Sequence, residues 1–168
     1  MVDTEKVRTL FNEKKYDECK VLLKNEEHNE DALIQYILAS IANLDKDYKN
    51  AFIHFMNAAS KGHNEAERAL GIYYYQGFGC TKDTRKGMYW VKKAIKDGNV
   101  RAYCTLAHVY MNGIGVKPDL ERGFKLYKCA ADLGDEHALE HLEECYRKGI
   151  GTDIDISKAD EIKARLTK

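Results

Sequence analysis

Residues 66–79 read AERALGIYYYQGFG, residues 102–115 read AYCTLAHVYMNGIG, and residues 138–151 read ALEHLEECYRKGIG. The three segments share one frame at a period of 36: a small residue, an apolar one four later, a tyrosine four after that, then Gly-x-Gly. The marks are Ala66, Leu70, Tyr74, Gly77 and Gly79; Ala102, Leu106, Tyr110, Gly113 and Gly115; Ala138, Leu142, Tyr146, Gly149 and Gly151. Residues four apart meet across one helical turn, so each trio marks the packing stripe of a helix, termed helix A. The first glycine suits the left-handed residue that ends a helix, and the second a loop that must turn back sharply.

The period continues past the loop. Asp83, Asp119 and Asp155 stand where a second helix, helix B, needs an N-cap, and Ser157 with Asp160 offers a second start in the last copy. Gly87, Gly123 and Ala159 follow, small enough to let helix B approach helix A closely. Trp90, Leu126 and Ile162 then fill the space one turn later, and Gly98 and Gly134 end helix B. Upstream, Asp47, Ala51, His54, Ala58 and Gly62 repeat the helix B frame, but Ala32 precedes Ala66 by only 34, with Asn43-Leu44-Asp45-Lys46 replacing the longer loop. Val7, Leu10 and Phe11, then Tyr16, Cys19, Leu22 and Leu23, read as one more hairpin, atypical as terminal repeats often are. The expected fold is all-α, with five hairpins, ten helices and no strands, stacked as a single domain because one hairpin cannot bury its own face.

The pattern from Ala66 through Gly71, Gly79, Asp83, Lys86 and Gly87 to Trp90, Lys93 and Ala94 resembles the Sel-one-like repeat, a longer-looped relative of the tetratricopeptide repeat. The likeness covers 66–101, 102–137 and 138–168, loosely 30–65 as a hybrid with the shorter loop, and 1–29 only as a generic hairpin. It implies a right-handed α-α superhelix whose A helices line a concave groove, used to bind proteins as an adaptor or scaffold, without catalysis or cofactor. Some secreted relatives carry a disulfide across each repeat, but Cys104 and Cys129 lack the paired partners. The last copy departs from the pattern at Glu143, Asp160 and Lys163, which suits a polar cap.

Composition narrows the function classes. The 168 residues carry 27 Lys+Arg against 27 Asp+Glu, which argues against a nucleic-acid partner. No apolar run approaches the length of a membrane span, and the start, Met1-Val2-Asp3-Thr4-Glu5-Lys6, lacks a secretory pattern, so a cytoplasmic protein is expected. Five widely spaced cysteines without C-x-x-C read as buried apolar thiols. The three Gly-x-Gly elements are helix-ending loops rather than phosphate loops, since none follows a strand or precedes Gly-Lys-Ser/Thr.

If helix A lines the groove, a protein or peptide partner meets Arg68, Ile72, Tyr75 and Gln76; Arg101, Cys104, Thr105, His108, Met111 and Asn112; and His137, Glu140, His141, Glu144 and Arg147. Ile34, Gln35, Leu38 and Ile41 extend this face towards the N-terminus. Ile72, Tyr75 and Met111 are the apolar anchors, and the charged groups select among partners. Two of the consecutive tyrosines, Tyr73 and Tyr75, flank the packing Tyr74, so at least one is a candidate interface anchor, towards a partner or a second copy. A second reading is a metal- or small-molecule-binding module, with His137, His141 and Cys145 at i, i+4 and i+8 and Cys104 and His108 on the preceding helix A.

Overall fold

A computed structural model describes residues 2–26 and 29–167 and folds them into ten α-helices, with no strand among the described residues. They are α1 (Thr4–Asn12), α2 (Tyr16–Leu23), α3 (Ala32–Leu44), α4 (Tyr48–Ser60), α5 (Asn64–Gln76), α6 (Thr84–Lys96), α7 (Arg101–Asn112), α8 (Leu120–Asp132), α9 (Glu136–Lys148) and α10 (Ile156–Leu166). The chain forms two compact units, residues 1–90 and 91–168, and the division falls inside α6. Of the outermost hairpins read from the sequence, Met1, Glu27, His28 and Lys168 lie outside the described residues.

Helix starts follow local chemistry. A side chain accepts a first-turn amide hydrogen at every helix but α2, where Lys15 holds the cap position without one; at α7 the acceptor is Asn99, one residue before Val100 at the cap position. The caps are Asp3, Asp31, Asp47, His63, Asp83, Asn99, Asp119, Asp135 and Asp155. The aspartate and asparagine caps each contribute about 1 kcal/mol relative to alanine. Asp155 starts α10, so Ser157 lies inside its first turn and is not the start offered by the sequence. Helices α5, α7 and α9 all end on a left-handed glycine, Gly77, Gly113 and Gly149.

In the first unit, Val7, Leu10, Cys19, Leu23, Ile34, Ile37 and Ile41 join α1, α2 and α3 in one buried cluster. A second cluster packs Ala39, Ala51, Ala58, Ala59 and Ala66 around Phe55, Leu70, Tyr73 and Tyr74, with Trp90 against its edge. In the second unit, Ala107, Tyr127, Ala130, Ala138, Leu142 and Ile162 hold α7 to α10, with Leu126 and Tyr146 packed against them. Burying one large aliphatic side chain stabilises by about 1.5–3 kcal/mol, so these stripes supply the main drive for stacking.

Two features set the spacing between helices. A Cβ on Gly79 would lie 2.1 Å from the Tyr48 carbonyl oxygen, and one on Gly151 2.1 Å from that of Leu120. The second glycine of the loop therefore rests directly on the first turn of the preceding helix B. Gly87 and Gly123 act differently: a Cβ there would meet the Tyr75 ring at 2.8 Å and Met111 Cγ at 2.4 Å. The missing side chain on helix B is the notch that a helix A side chain fills.

That notch corrects the sequence reading. Tyr75 is buried with its hydroxyl towards Met88 Sδ, and Met111 packs on the core, so neither is a groove anchor. Tyr73 and Tyr75 are both buried, which removes them as exposed interface anchors. Ile34 and Ile41 are likewise buried because the first hairpin packs on that side of α3, while Gln35 is buried with its side chain bonded to the Asn29 carbonyl and, on α4, to His54 and Asn57. Cys19 and Cys145 are buried as expected, Cys80 and Cys104 are half-buried, and Cys129 is exposed.

Candidate functional site

Helices α1, α3 and α5 of the first unit bound a cavity of about 350 Å³. Its walls are Phe11, Tyr16, Tyr36, Ser40, Asn43, Leu44, Phe55, Arg68, Ala69, Ile72, Tyr73 and Phe78. Two of the groove residues named from the sequence, Arg68 and Ile72, are therefore brought together here. Seven rings run through and beside this wall in unbroken contact. Tyr16 meets Phe11 at 5.7 Å between centroids, Phe11 meets Tyr36 at 6.2 Å, Tyr36 meets Phe55 at 6.1 Å, and Phe55 meets Tyr73 at 5.1 Å. Tyr73 then meets Phe78 at 5.6 Å, and Phe78 stacks on Tyr48 at 4.6 Å. Most pairs are edge-to-face, the arrangement favoured by the ring quadrupole, which stiffens the wall.

Polar groups are few and placed at the edges. The Tyr73 hydroxyl donates to Asn43 Oδ1 at 2.6 Å, and burial pushes its pKa up to about 12, so it remains a neutral donor. Ser40 donates to the Tyr36 carbonyl at 2.8 Å. Arg68 Nε donates to Glu65 Oε2 at 3.0 Å, one turn back on α5. Behind the wall, His63 stacks on Tyr36 at 4.4 Å while its Nδ1 accepts from the Ala66 amide, and burial holds its pKa below the ordinary histidine value. Leu44 and Phe78 stand at the rim, 53% and 36% exposed.

A larger cavity of about 470 Å³ lies over α2, α3 and α4, lined by Leu38 and Ile41 with Lys20, Lys24, His54, Asp45 and Asp47. Its charges are partly satisfied within it: Lys20 pairs with Asp45 at 2.9 Å, and Asp47 caps α4. His54 Nδ1 is 2.8 Å from Gln35 Oε1. Leu38 and Ile41 thus belong to this cavity and not to the one that holds Arg68 and Ile72.

In the second unit the remaining candidates spread over α7 and α9. Arg101, His108, Asn112, His137, Glu140, His141 and Glu144 are exposed, whereas Cys104, Thr105 and Arg147 are half-buried. Asn112 donates to the His108 carbonyl at 2.9 Å, and His141 stacks on Tyr127 at 4.4 Å. Arg147 is held by Glu143 at 2.6 Å and Asp160 at 2.8 Å, taking the helix A place that Tyr75 and Met111 hold in the earlier repeats. Gln76 is exposed at the C-terminal end of α5. Glu144 pairs with Lys148 at 2.7 Å, which holds its carboxyl below the ordinary value.

The metal reading does not survive this geometry. Among the described residues no group of three His, Cys, Asp or Glu side chains could hold a metal ion. Eight residues along a helix span about 12 Å, too far for His137 and Cys145 to share one ion. Cys145 is moreover buried, with its pKa pushed up to about 11, and Cys104 Sγ faces Asp135 at 3.8 Å.

The sequence reading missed the caps of the A helices and the ring ladder. His63, Asn99 and Asp135 recur at the same period as the loops, directly after Gly62, Gly98 and Gly134, so the caps were visible as a pattern. The ladder was not, because its rings come from five helices of the first unit and the loop after α5.

The Sel1 repeat matches this chain over residues 37–63, 64–99, 100–135 and 144–159. The matched segments 64–99 and 100–135 each begin one residue after a helix A cap, His63 and Asn99. A Sel1 repeat protein of Oxalobacter formigenes is similar in structure, with a TM-score of 0.81 and 24% identity over 98% of this chain and 69% of that one. The protein c5321 of uropathogenic Escherichia coli, a protective antigen displaying an SLR fold, gives a TM-score of 0.74 and 24% identity over 89% of this chain and 33% of that one. A putative sel1 repeat protein of Klebsiella pneumoniae gives 0.69 and 16% identity over 96% and 82%. None of the curated proteins matches the sequence. At these identities the solved structures speak for the fold alone, and they agree with the repeats in the sequence and the hairpins in each unit: the chain belongs to the Sel1 repeat family.

Proposed function

We propose that this chain is a non-enzymatic adaptor that binds a protein through a peptide segment laid in the groove between α1, α3 and α5. Sel1 repeat proteins are in general protein-interaction scaffolds. The observation that carries the reading is the continuous ladder of rings along the cavity, with exposed Phe78 in it and exposed Leu44 on the same cavity lining, a stiff apolar surface that needs no reordering to receive a partner. In the second unit, the exposed side of α7 and α9 offers Arg101, His108, His141 and Glu144 as polar contacts that select among partners. The Gly-x-Gly loops end helices and carry no reacting group, in keeping with a scaffold. Five cysteines outside any disulfide suit a reducing compartment such as the cytoplasm.

Photo-crosslinking from single positions in the native host tests this reading. A photoreactive residue at Ile72 or Leu44 should trap a defined protein, and one at Val21, exposed on α2 away from the groove, should not. Equal adducts from all three positions, or none from Ile72 and Leu44, would refute the groove.

A further inference from the structure

We propose that the groove selects an extended peptide segment in which a bulky apolar side chain stands next to a carboxylate, with Arg68 receiving the carboxylate; the inference rests on the groove reading above. The wall of the cavity contains one cation, Arg68, and no Asp or Glu. Its donors not spent inside the wall are the guanidinium nitrogens of Arg68 and the amide of Asn43, while the Ser40 and Tyr73 hydroxyls, having donated, remain acceptors. Arg68 commits Nε to Glu65, a bond that does not use its two terminal guanidinium nitrogens, and its side chain is 23% exposed. Asn43 spends its oxygen on the Tyr73 hydroxyl, leaving the amide N–H groups to a ligand. A wall that carries one guanidinium and no carboxylate over a floor of rings is complementary to an acceptor that carries negative charge, and a guanidinium fork matches a carboxylate in shape as well as sign.

The floor settles the other half of the ligand. Ile72, Leu44 and the rings of Tyr36, Tyr73 and Phe78 offer no acceptor pair for a polar side chain inside the cavity, whose 350 Å³ equals on the order of ten waters at about 30 Å³ each. An apolar side chain that displaces this water gains most from the surface. The larger cavity over α2, α3 and α4 lacks this asymmetry, because two lysines there face two aspartates. Glu65 is the internal competitor: it already holds Arg68 and must share it with an incoming carboxylate.

The test is a selection of random peptides displayed on phage against the full chain. Two synthetic peptides built on the selected sequence follow, one with Trp-Glu and one with Trp-Gln at the selected pair, measured by fluorescence anisotropy. The expected winners carry an aromatic or large aliphatic residue adjacent to Asp or Glu. Arg68→Gln should weaken the Trp-Glu peptide about tenfold and leave the Trp-Gln peptide unchanged, the loss expected for one charge-assisted hydrogen bond. Arg68→Lys should fall between, and Glu65→Gln should tighten the Trp-Glu peptide severalfold by freeing the guanidinium. Ile72→Ser should weaken both peptides about tenfold. Circular dichroism of each variant separates lost contacts from lost folding.

Apolar winners without acidic neighbours, or an acidic preference that survives Arg68→Gln, would overturn the inference and leave the groove reading standing. Basic winners would also overturn it. No selected peptide, or binding that Ile72→Ser does not touch, would overturn the groove reading itself.

Discussion

Replacing Gly151 by alanine, beside Gly134→Ala as its control, isolates the cost of loop-to-helix contact in the second unit. Both glycines are left-handed, with φ of 69° and 91°. An L-residue there costs roughly 1–2 kcal/mol, partly offset by the reduced freedom of the unfolded chain. These contributions are shared and cancel in the comparison. The surroundings differ: a Cβ at Gly134 meets nothing within 4 Å, while one at Gly151 falls 2.1 Å from the Leu120 carbonyl oxygen and 2.4 Å from its carbon. Real Cβ contacts stay beyond 3.0 Å, so the loop must retreat by about 0.9 Å from a backbone that no rotamer change can move. Leu120 opens α8 and is held by the Asp119 cap, so the shift is taken by the loop and by the stacking of α9 on α8. Overpacking of this kind costs about 1–3 kcal/mol. Gly151→Ala should therefore be about 2 kcal/mol less stable than Gly134→Ala, or about 4–8 °C lower in melting temperature for a chain of this size. Far-ultraviolet circular dichroism melts measure it directly. Gly79→Ala repeats the experiment in the first unit, where the Tyr48 carbonyl oxygen stands at the same 2.1 Å. Equal melting temperatures for Gly151→Ala and Gly134→Ala would refute the claim that the second glycine exists for close approach.

Other outcomes follow from the same geometry. Gly123→Ala gains about 1 kcal/mol of helix propensity but collides with Met111, so it should destabilise the protein alone and become neutral or stabilising with Met111→Ala; additive urea-midpoint shifts would remove the notch from the account. Burial lowers the His63 pKa against the opposing pull of Glu65 and Asp31. Stability from His63 is therefore complete above its unfolded value of about 6.5 and is lost as pH falls below it towards the folded pKa, so His63→Asn should flatten that part of the urea-midpoint profile. An unchanged profile would show that His63 does not set it. Toward a thiol reagent, Cys129 should react first and Cys145, buried and shifted up to about 11, last; a fast phase that persists in Cys129→Ser would contradict this order.

Much of this protein was set by local rules and so could be read from the chain alone. A four-residue stripe specifies a helix face, a left-handed glycine ends the helix, and an aspartate starts the next, each within one or two turns. Those rules, repeated at one period, were sufficient for the hairpins from α5 onward, their loops and the family, while the first two hairpins were legible from their apolar stripes at other spacings. The small residues at Gly87 and Gly123 were also legible as points of close approach, although what entered the space was not. Tyr75 and Met111 looked like groove anchors because they lie one position off the stripe. A helix has two flanks, and only the neighbour decides which of them is buried. Gly87 and Gly123 drew both side chains inward, and the first hairpin covered Ile34 and Ile41 in the same way. The groove itself arose only when α1, α3 and α5 came side by side, placing Phe11, Tyr36 and Tyr73 in one wall from positions dozens of residues apart. Periodicity records which residues a helix buries against its own hairpin, whereas a surface shared by three hairpins depends on packing distances that no local spacing encodes.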